Sequence, residues 1–90
     1  MLQCMNMWFV YMVHCADNTL YTGVTNNILR RLEEHNKSNR IGSKYVRARR
    51  PVRLVFKEKM KTRSQALRRE AEIKKLSREV KVMIIKNYSK

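Results

Sequence analysis

The residues best suited to chemistry lie on two predicted helices. On a helix that begins after Thr62, a turn of about 100° per residue places Glu70 within an apolar stripe and Glu72 on the opposite side. A carboxylate on an apolar face is costly unless it pairs with a positive charge or binds a cation. Glu70 is therefore a candidate metal ligand, and an ion pair with Lys74, four residues later, is the alternative. The predicted stripe consists of Ala66, Leu67, Ala71 and Ile73.

An earlier predicted helix carries Arg31 and His35 one turn apart, at the edge of an apolar stripe. An arginine there could hold a phosphate through two hydrogen bonds, and a histidine could transfer a proton near neutral pH. The alternatives are an arginine that covers apolar surface with its methylene groups and a histidine favoured by the C-terminal end of a helix. The stripe beside them is predicted to consist of Ile28, Leu29 and Leu32.

Two tyrosines, Tyr11 and Tyr21, lie on the two strands of a predicted hairpin. A buried tyrosine hydroxyl needs a hydrogen-bond partner, so either residue could face polar groups of a site. The alternative is that both rings serve only in packing.

The elements that must position these side chains begin with that hairpin. Residues 7–15 are rich in aromatic and β-branched types, which predicts a central strand with both faces covered. Residues 16–18 supply turn chemistry, and residues 19–24 form the second strand. Thr25 is the predicted N-cap of a helix that runs to His35.

The second half of the chain predicts one more strand and two more helices. Pro51 opens the strand, a capping box at residues 62–65 begins a helix to about Leu76, and Ser77 caps the last helix. We therefore expect an α+β fold in the order β-β-α-β-α-α, with a small three-stranded antiparallel sheet flanked by helices, as one domain over residues 1–90. The apolar face of the third strand is predicted to hold Val52, Leu54 and Phe56.

The charge of the chain is strongly one-sided. Lys and Arg total 21 against 7 acidic residues, which gives a formal net charge of +14 and an isoelectric point near 10.5. This balance predicts a polyanionic partner, with nucleic acid favoured over an anionic membrane surface, and solubility alone is the other interpretation. The hydrophobic fraction of 43% argues against a disordered chain.

A polar, basic segment from residue 36 to residue 50 is predicted to be an exposed connection with at most a short helical turn. Its cations would contact phosphates, which position a nucleic acid without reading its bases. A solvated basic loop is the alternative. A tyrosine within the segment could stack on an unpaired base. The predicted contact residues, which extend into the next strand, are Lys37, Arg40, Lys44, Tyr45, Arg47, Arg49, Arg50 and Arg53.

Three further features narrow the class of protein. The apolar run at residues 7–16 is too short to cross a bilayer and lacks the basic flank of a signal peptide. Cys4 and Cys15 have neither zinc-site nor CxxC spacing, so we expect free thiols, with Cys15 in the core. These features predict a cytoplasmic protein without a disulfide.

The whole pattern resembles the GIY-YIG nuclease family, most closely its small stand-alone bacterial branch of uncharacterised single-domain proteins. Residues 10–11 (Val-Tyr) stand where the first signature of the family ends, and residues 21–23 (Tyr-Thr-Gly) match the second. Arg31 and His35 follow at the expected spacing, and residues 66–74 resemble the helix that carries the metal-binding glutamate. The RRxxEHN and RRPVRLV stretches are also typical of that branch.

The resemblance implies hydrolysis of phosphodiester bonds assisted by one divalent ion, usually Mg²⁺, with another cation such as Mn²⁺ as the alternative. Glu70 would ligate that ion, together with water and phosphate oxygens. Tyr11 would act as the general base or position it, with Tyr21 beside it. His35 would accept the proton of Tyr11, and Arg31 would stabilise negative charge on the phosphate.

Departures from the family pattern concern three residues. Phe9 replaces the glycine of the first signature, and Thr22 replaces the isoleucine of the second. Some members carry an asparagine after the metal-binding glutamate, for which Asn87 is a poorly spaced counterpart.

Two functions follow from this pattern. The first is a metal-dependent endonuclease, and the second is a nucleic-acid-binding module of the same fold with weak or no catalysis. In either case we expect nucleic acid as the partner, with DNA favoured over RNA, and neither a membrane nor an obligate protein partner.

Overall fold

The computed structural model describes residues 7–37 and 44–89, so Cys4 and Arg40 lie outside the described residues. Three strands form one antiparallel sheet in the order β2-β1-β3. Helices flank this sheet, which confirms the predicted α+β fold. The elements are β1 (Trp8–Cys15), β2 (Leu20–Thr25), α1 (Ile28–Lys37), α2 (Lys44–Arg47), β3 (Val52–Met60), α3 (Arg63–Lys74) and α4 (Arg78–Ser89).

The central strand β1 separates two packed layers. Val10 and Met12 point to the layer that contains Ala66 and Ile73 of α3, with Ile84 of α4 packed beside them. The opposite layer is formed by Tyr11, Val13 and Cys15 of β1, Val46 of α2, and Ile28 and Leu32 of α1. Both faces of β1 are therefore covered, as its nearly continuous apolar sequence predicts.

Strand β3 contains an irregularity that corrects the predicted apolar face. Met12 pairs with Phe56 while Val13 pairs with Leu54, so Val55 is an extra residue on β3. A β-bulge of this kind shifts the alternation of side chains between the two faces. Leu54 accordingly packs in the layer of Tyr11, whereas Phe56 packs in the layer of Met12.

The predicted cap of the first helix is also wrong. Asn27 is the capping residue, because its Oδ1 accepts a hydrogen bond from the backbone N–H of Arg30 at 3.0 Å. Thr25 Oγ1 instead accepts from the backbone N–H of Asn27 at 3.1 Å, within the turn that precedes α1. The caps predicted for the later helices are confirmed, since Thr62 accepts from Gln65 N–H at 3.1 Å and Ser77 Oγ from the Val80 N–H at 3.3 Å.

The described part of the connection after α1, which excludes residues 38–43, is less exposed than the sequence predicts. It contains α2, and Val46 of that turn is fully buried, so the segment is not simply exposed. At its start, Asn36 bonds the backbone of Val52, which donates to Oδ1 at 2.8 Å and accepts from Nδ2 at 3.0 Å. The end of α1 is thereby joined to β3.

Among the described helices, none has the length and apolar character required to cross a membrane.

Candidate active site

The ring of Tyr11 lies directly across Gly23 of the neighbouring strand. The two residues are paired in the β1–β2 register. A Cβ atom at position 23 would lie 2.5 Å from the hydroxyl oxygen of Tyr11 and 2.7 Å from its Cζ. Position 23 must therefore lack a side chain for Tyr11 to hold this orientation. The sequence marks Gly23 only as part of the second signature, although the hairpin register places it opposite Tyr11.

Beneath that ring, α1 supplies a buried partner for the hydroxyl group. The Tyr11 hydroxyl oxygen lies 2.8 Å from Nε2 of His35, and the two residues are only 2% and 1% exposed. Among the described residues, Nδ1 of His35 has no hydrogen-bond partner. The two side chains that the sequence places 24 positions apart thus form one hydrogen-bonded pair.

Burial determines the protonation states of this pair. It raises the pKa of Tyr11 to about 12, against the hydrogen bond and the positive charge of Arg31, which lower it. Burial lowers the pKa of His35 to about 4, and the charge of Arg31 acts in the same direction. Both side chains are therefore neutral at physiological pH, so the imidazole keeps one nitrogen able to accept a proton.

Tyr21 lies on the other side of His35 and is covered by a third aromatic ring. Its ring centroid is 5.6 Å from that of His35 in an edge-on arrangement and 5.9 Å from that of Tyr45, which is stacked on it. The guanidinium of Arg49 lies 3.8 Å from the Tyr45 ring centroid and 2.9 Å from a carboxylate oxygen of Asp17. Tyr45 and Arg49, both predicted to contact nucleic acid, therefore support Tyr21 within the protein.

An open cleft of about 300 Å³ meets the Tyr11 hydroxyl from outside. Arg31 and Glu70 line this cleft together with Tyr11 and Tyr21, so four of the five predicted catalytic residues face one space. The fifth, His35, reaches it through its hydrogen bond to Tyr11. The cleft is also lined by Trp8, Gly23, Val24, Arg63 and Leu67.

Ion pairs hold two of the three charged side chains that line the cleft. Glu70 pairs with Lys74 at 3.2 Å, so the alternative considered for this glutamate is also present. Lys74 is 53% exposed, however, and exposed pairs contribute little to stability. Arg31 pairs with Glu34 at 3.1 Å. Both pairs can exchange their partners for a cation or a phosphate.

The apolar stripes predicted around these residues are narrower than expected. On α3, Ala66 and Ile73 are fully buried, whereas Leu67 is 40% exposed and Ala71 is exposed. On α1, Leu29 is 80% exposed. Each helix presents only part of its apolar side to the sheet, which leaves Glu70 at the edge of the contact and open to the cleft.

A single carboxylate limits the kind of cation that fits. The described residues contain no group of three or more acidic, histidine or cysteine side chains that could enclose a metal. Magnesium needs only one or two protein carboxylates, because it keeps several water ligands and binds substrate phosphates. Glu70, in a cleft with room for water and a phosphate, fits a hard cation of this type.

The other predicted contact residues are spread over the surface near α2. Lys44, Arg47 and Arg50 line one open hollow, and the Nε of Arg50 also donates to the backbone carbonyl of His35. Lys37 is exposed and pairs with Glu33 at 3.4 Å. Arg53 is exposed on β3. The structure therefore brings three of the predicted contact residues together beside the site.

Comparisons with known proteins identify the family. The family model of the GIY-YIG catalytic domain matches residues 7–83. The UPF0213 protein DP2720 of Desulfotalea psychrophila is 54% identical over 79 residues, which cover 88% of this chain and 71% of that protein. A UPF0213 protein of Syntrophus aciditrophicus is 53% identical over 78 residues, with 87% of this chain and 88% of that protein covered.

A solved structure shares the fold. The solution NMR structure of the UPF0213 protein BH0048 from Bacillus halodurans matches with a TM-score of 0.57 and 36% identity, over 89% of this chain and 83% of that one. The chain belongs to the GIY-YIG family, which is a nuclease-type family.

Proposed function

We propose that this GIY-YIG protein is a divalent-metal-dependent endonuclease that hydrolyses phosphodiester bonds in nucleic acid, with DNA favoured as substrate. One observation carries the proposal: the buried Tyr11–His35 hydrogen bond opens onto the same cleft as Arg31 and Glu70. A proton acceptor, a phosphate-binding cation and a metal-binding carboxylate are the groups that phosphodiester hydrolysis requires.

In this proposal the pair of Tyr11 and His35 activates water. The Tyr11 hydroxyl passes its proton to Nε2 of His35 and accepts one from the water whose oxygen attacks phosphorus. Because the pKa of Tyr11 is raised to about 12, this exchange avoids a free phenolate in the resting site. Because the pKa of His35 is lowered to about 4, the imidazole holds the proton only briefly. His35 returns it to the Tyr11 oxygen as Tyr11 releases a proton to solvent water, and the leaving oxygen takes a proton from water when the P–O bond breaks.

Arg31 and Glu70 hold the reacting phosphate from the open side. Arg31 exchanges its pair with Glu34 for a phosphate oxygen and stabilises the charge that develops there. Glu70 holds Mg²⁺, or Mn²⁺ in its place, which when bound stabilises charge on the phosphate and on the leaving oxygen. Lys44, Arg47 and Arg50 contact the flanking phosphates.

Cytoplasmic localisation remains a prediction from the sequence.

The test compares cleavage of labelled single-stranded, duplex and branched substrates in magnesium and in chelator. We expect magnesium-dependent cleavage by the parent protein and a loss of at least about 100-fold in Glu70→Gln, because a bound metal contributes several kcal/mol to the transition state. Glu72→Gln is the matched control, since Glu72 lies on the same helix, pairs with Arg69 and does not line the cleft.

A second function is favoured by the ion pair at the metal-binding residue. Lys74 already satisfies Glu70 at 3.2 Å, which suits a protein that binds nucleic acid without cleaving it. Binding that is unchanged by chelator, with no cleavage of any substrate, would support this module and exclude the endonuclease.

A further inference from the structure

The cleft extends beyond the reacting groups along two walls. On β1, Trp8 precedes Tyr11 by three residues, which corresponds to roughly 10 Å along the strand. On α3, Arg63 precedes Glu70 by seven residues, which also corresponds to roughly 10 Å along the helix axis. All four residues line the same cleft, so its outer end lies roughly 10 Å along the backbone from the proposed site of cleavage, within reach of a neighbouring nucleotide.

This outer end has the chemistry of a stacking surface. Trp8 is half-buried, and the guanidinium of Arg63, an exposed residue, lies 5.7 Å from the centroid of its ring. Leu67 beside them is 40% exposed, and Val24 is half-buried. Glu70 is the only acidic residue among the described residues that line the cleft. The surface is therefore apolar and positively charged, and it belongs to the same cleft as the proposed phosphate site.

We propose that Trp8 and Arg63 form a subsite for an unstacked nucleobase next to the phosphate that is cleaved. The base stacks on the indole ring, and the guanidinium covers its other face. The separation of 5.7 Å between guanidinium and ring needs to widen to about 7 Å, which is twice the stacking spacing of about 3.4 Å. An exposed arginine allows this movement. Stacking on an aromatic ring tolerates every base, and arginine adds a cation–π contribution.

This inference rests on the proposed function and states its substrate class. A base that lies on Trp8 has left its own base stack, so the nucleotide beside the cleaved bond must be unstacked. A single strand, a branch and a base turned out of a duplex all provide such a nucleotide. Comparison of the binding of these three substrates identifies which of them supplies the unstacked nucleotide.

Trp8 is the only tryptophan of the chain, so its fluorescence reports this one subsite. The experiment uses the Glu70→Gln variant, which keeps the substrate intact, and two single-stranded oligonucleotides of equal length. One has normal bases, and the other has abasic residues with the same phosphate charge. At equal occupancy, measured by the anisotropy of a label on the oligonucleotide, we expect the normal strand to quench Trp8 and the abasic strand to leave its emission unchanged.

Substitutions separate stacking from charge. Trp8→Ala should weaken binding of the normal strand by roughly 5-fold or more and leave the abasic strand unaffected. Because Trp8 also packs against the core, circular dichroism checks its fold, and Trp8→Phe should retain most of the preference for bases. Arg63→Lys keeps the charge but loses the planar group, so it should reduce that preference. Tyr88→Ala, an exposed aromatic on α4 that does not line the cleft, is the matched control.

Each outcome decides between the two proposals. Quenching by the normal strand, without cleavage by the parent protein, supports the subsite and overturns the endonuclease. Cleavage with equal affinity for normal and abasic strands, and no quenching, overturns the subsite and leaves the endonuclease standing. If neither strand binds, the subsite is wrong, and cleavage of duplex and branched substrates by the parent protein decides the endonuclease separately.

Discussion

The two sides of the cleft are built in opposite ways. On the inner side, Tyr11 and His35 are almost fully buried and joined by a neutral hydrogen bond of 2.8 Å. On the outer side, Glu70 and Arg31 are partly exposed and held by ion pairs of 3.2 Å to Lys74 and 3.1 Å to Glu34. Burial determines the protonation and position of Tyr11 and His35, whereas ion pairs determine the positions of Glu70 and Arg31.

This difference separates two requirements of the proposed reaction. Breaking the inner hydrogen bond would leave buried polar atoms without partners, which costs about 1–3 kcal/mol, so that geometry persists. The pair of Glu70 with the exposed Lys74 contributes only about 0–1 kcal/mol, so a cation can replace Lys74. Arg31 lines the cleft, so a phosphate can compete with Glu34 for its guanidinium. In the proposed reaction, the inner side therefore transfers protons, and the outer side binds the charged ligands.

The largest expected effect comes from removing the inner hydroxyl group. Tyr11→Phe should lower the rate of cleavage by about 10²–10⁴-fold, the usual contribution of a positioned acid or base. Binding of the substrate should change little, because the outer side is intact. Single-turnover rates and binding titrations measure the two quantities. A rate within twofold of the parent would show that Tyr11 has no part in the chemistry.

A second prediction concerns pH and the inner histidine. The pKa of His35 is about 4 in the folded state and near 6.5 in the unfolded state, so only the unfolded chain binds the proton between these values. The resulting stability is fully present above pH 6.5 and is lost as the pH falls from there through about 4, a total of roughly 3 kcal/mol at about 1.4 kcal/mol per pH unit.

Denaturant titrations between pH 7 and pH 4 measure this loss. His35→Gln removes the titrating group and should reduce the loss between those pH values. An identical dependence on pH in the parent and the variant would contradict the buried neutral state of His35.

A third prediction tests the packing that orients the inner side. Gly23→Ala places a methyl group 2.5 Å from the Tyr11 hydroxyl, so it should lower the free energy of unfolding by about 1–3 kcal/mol and reduce cleavage. In a Tyr11→Ala background the same substitution meets no ring, and its cost should largely disappear. This double-mutant cycle isolates the contact. An equal cost in both backgrounds would assign the role of Gly23 to the backbone alone.

The smallest effect on stability is expected on the outer side. Lys74→Gln should change the free energy of unfolding by no more than about 0.5 kcal/mol, because the pair is exposed. It should nevertheless lower the magnesium concentration needed for half-maximal cleavage by a few-fold, since Glu70 loses its competing cation. Lys75→Gln, the same change at the next residue, is the control. Equal effects of the two substitutions on magnesium dependence would indicate only a change in net charge.

Local patterns in the sequence predicted the elements and the residues that meet at the cleft. Helix periodicity placed Glu70 within an apolar stripe, whereas the structure has it at the edge of the helix contact. The same periodicity placed Arg31 and His35 at the edge of the α1 stripe that faces the sheet. The family resemblance then gave these residues roles. The hairpin register, which is fixed by a short turn, already contained the pairing of Tyr11 with Gly23.

Contacts between distant segments were not predictable in this way. The bulge at Val55 exists only in the pairing of β3 with β1, which are joined by some forty residues. The cover of Tyr21 by Tyr45 depends on a carboxylate in the β1–β2 turn, where Asp17 holds Arg49. The predicted nucleic-acid contacts of Tyr45, by base stacking, and of Arg49, by its charge, stay predictions, because the sequence does not show which side chains have partners inside the protein.

The clamp formed by Asn36 has a consequence for the timing of catalysis. Asn36 is fixed to Val52 by two hydrogen bonds, and the carbonyl of the preceding His35 is bonded by Arg50. These three hydrogen bonds fix the main chain that carries the imidazole without any contribution from a substrate. The proposed endonuclease would therefore spend no binding energy on assembling its proton-transfer partners. Its turnover should then be limited by the bond-breaking step or by product departure, and not by closure around the substrate.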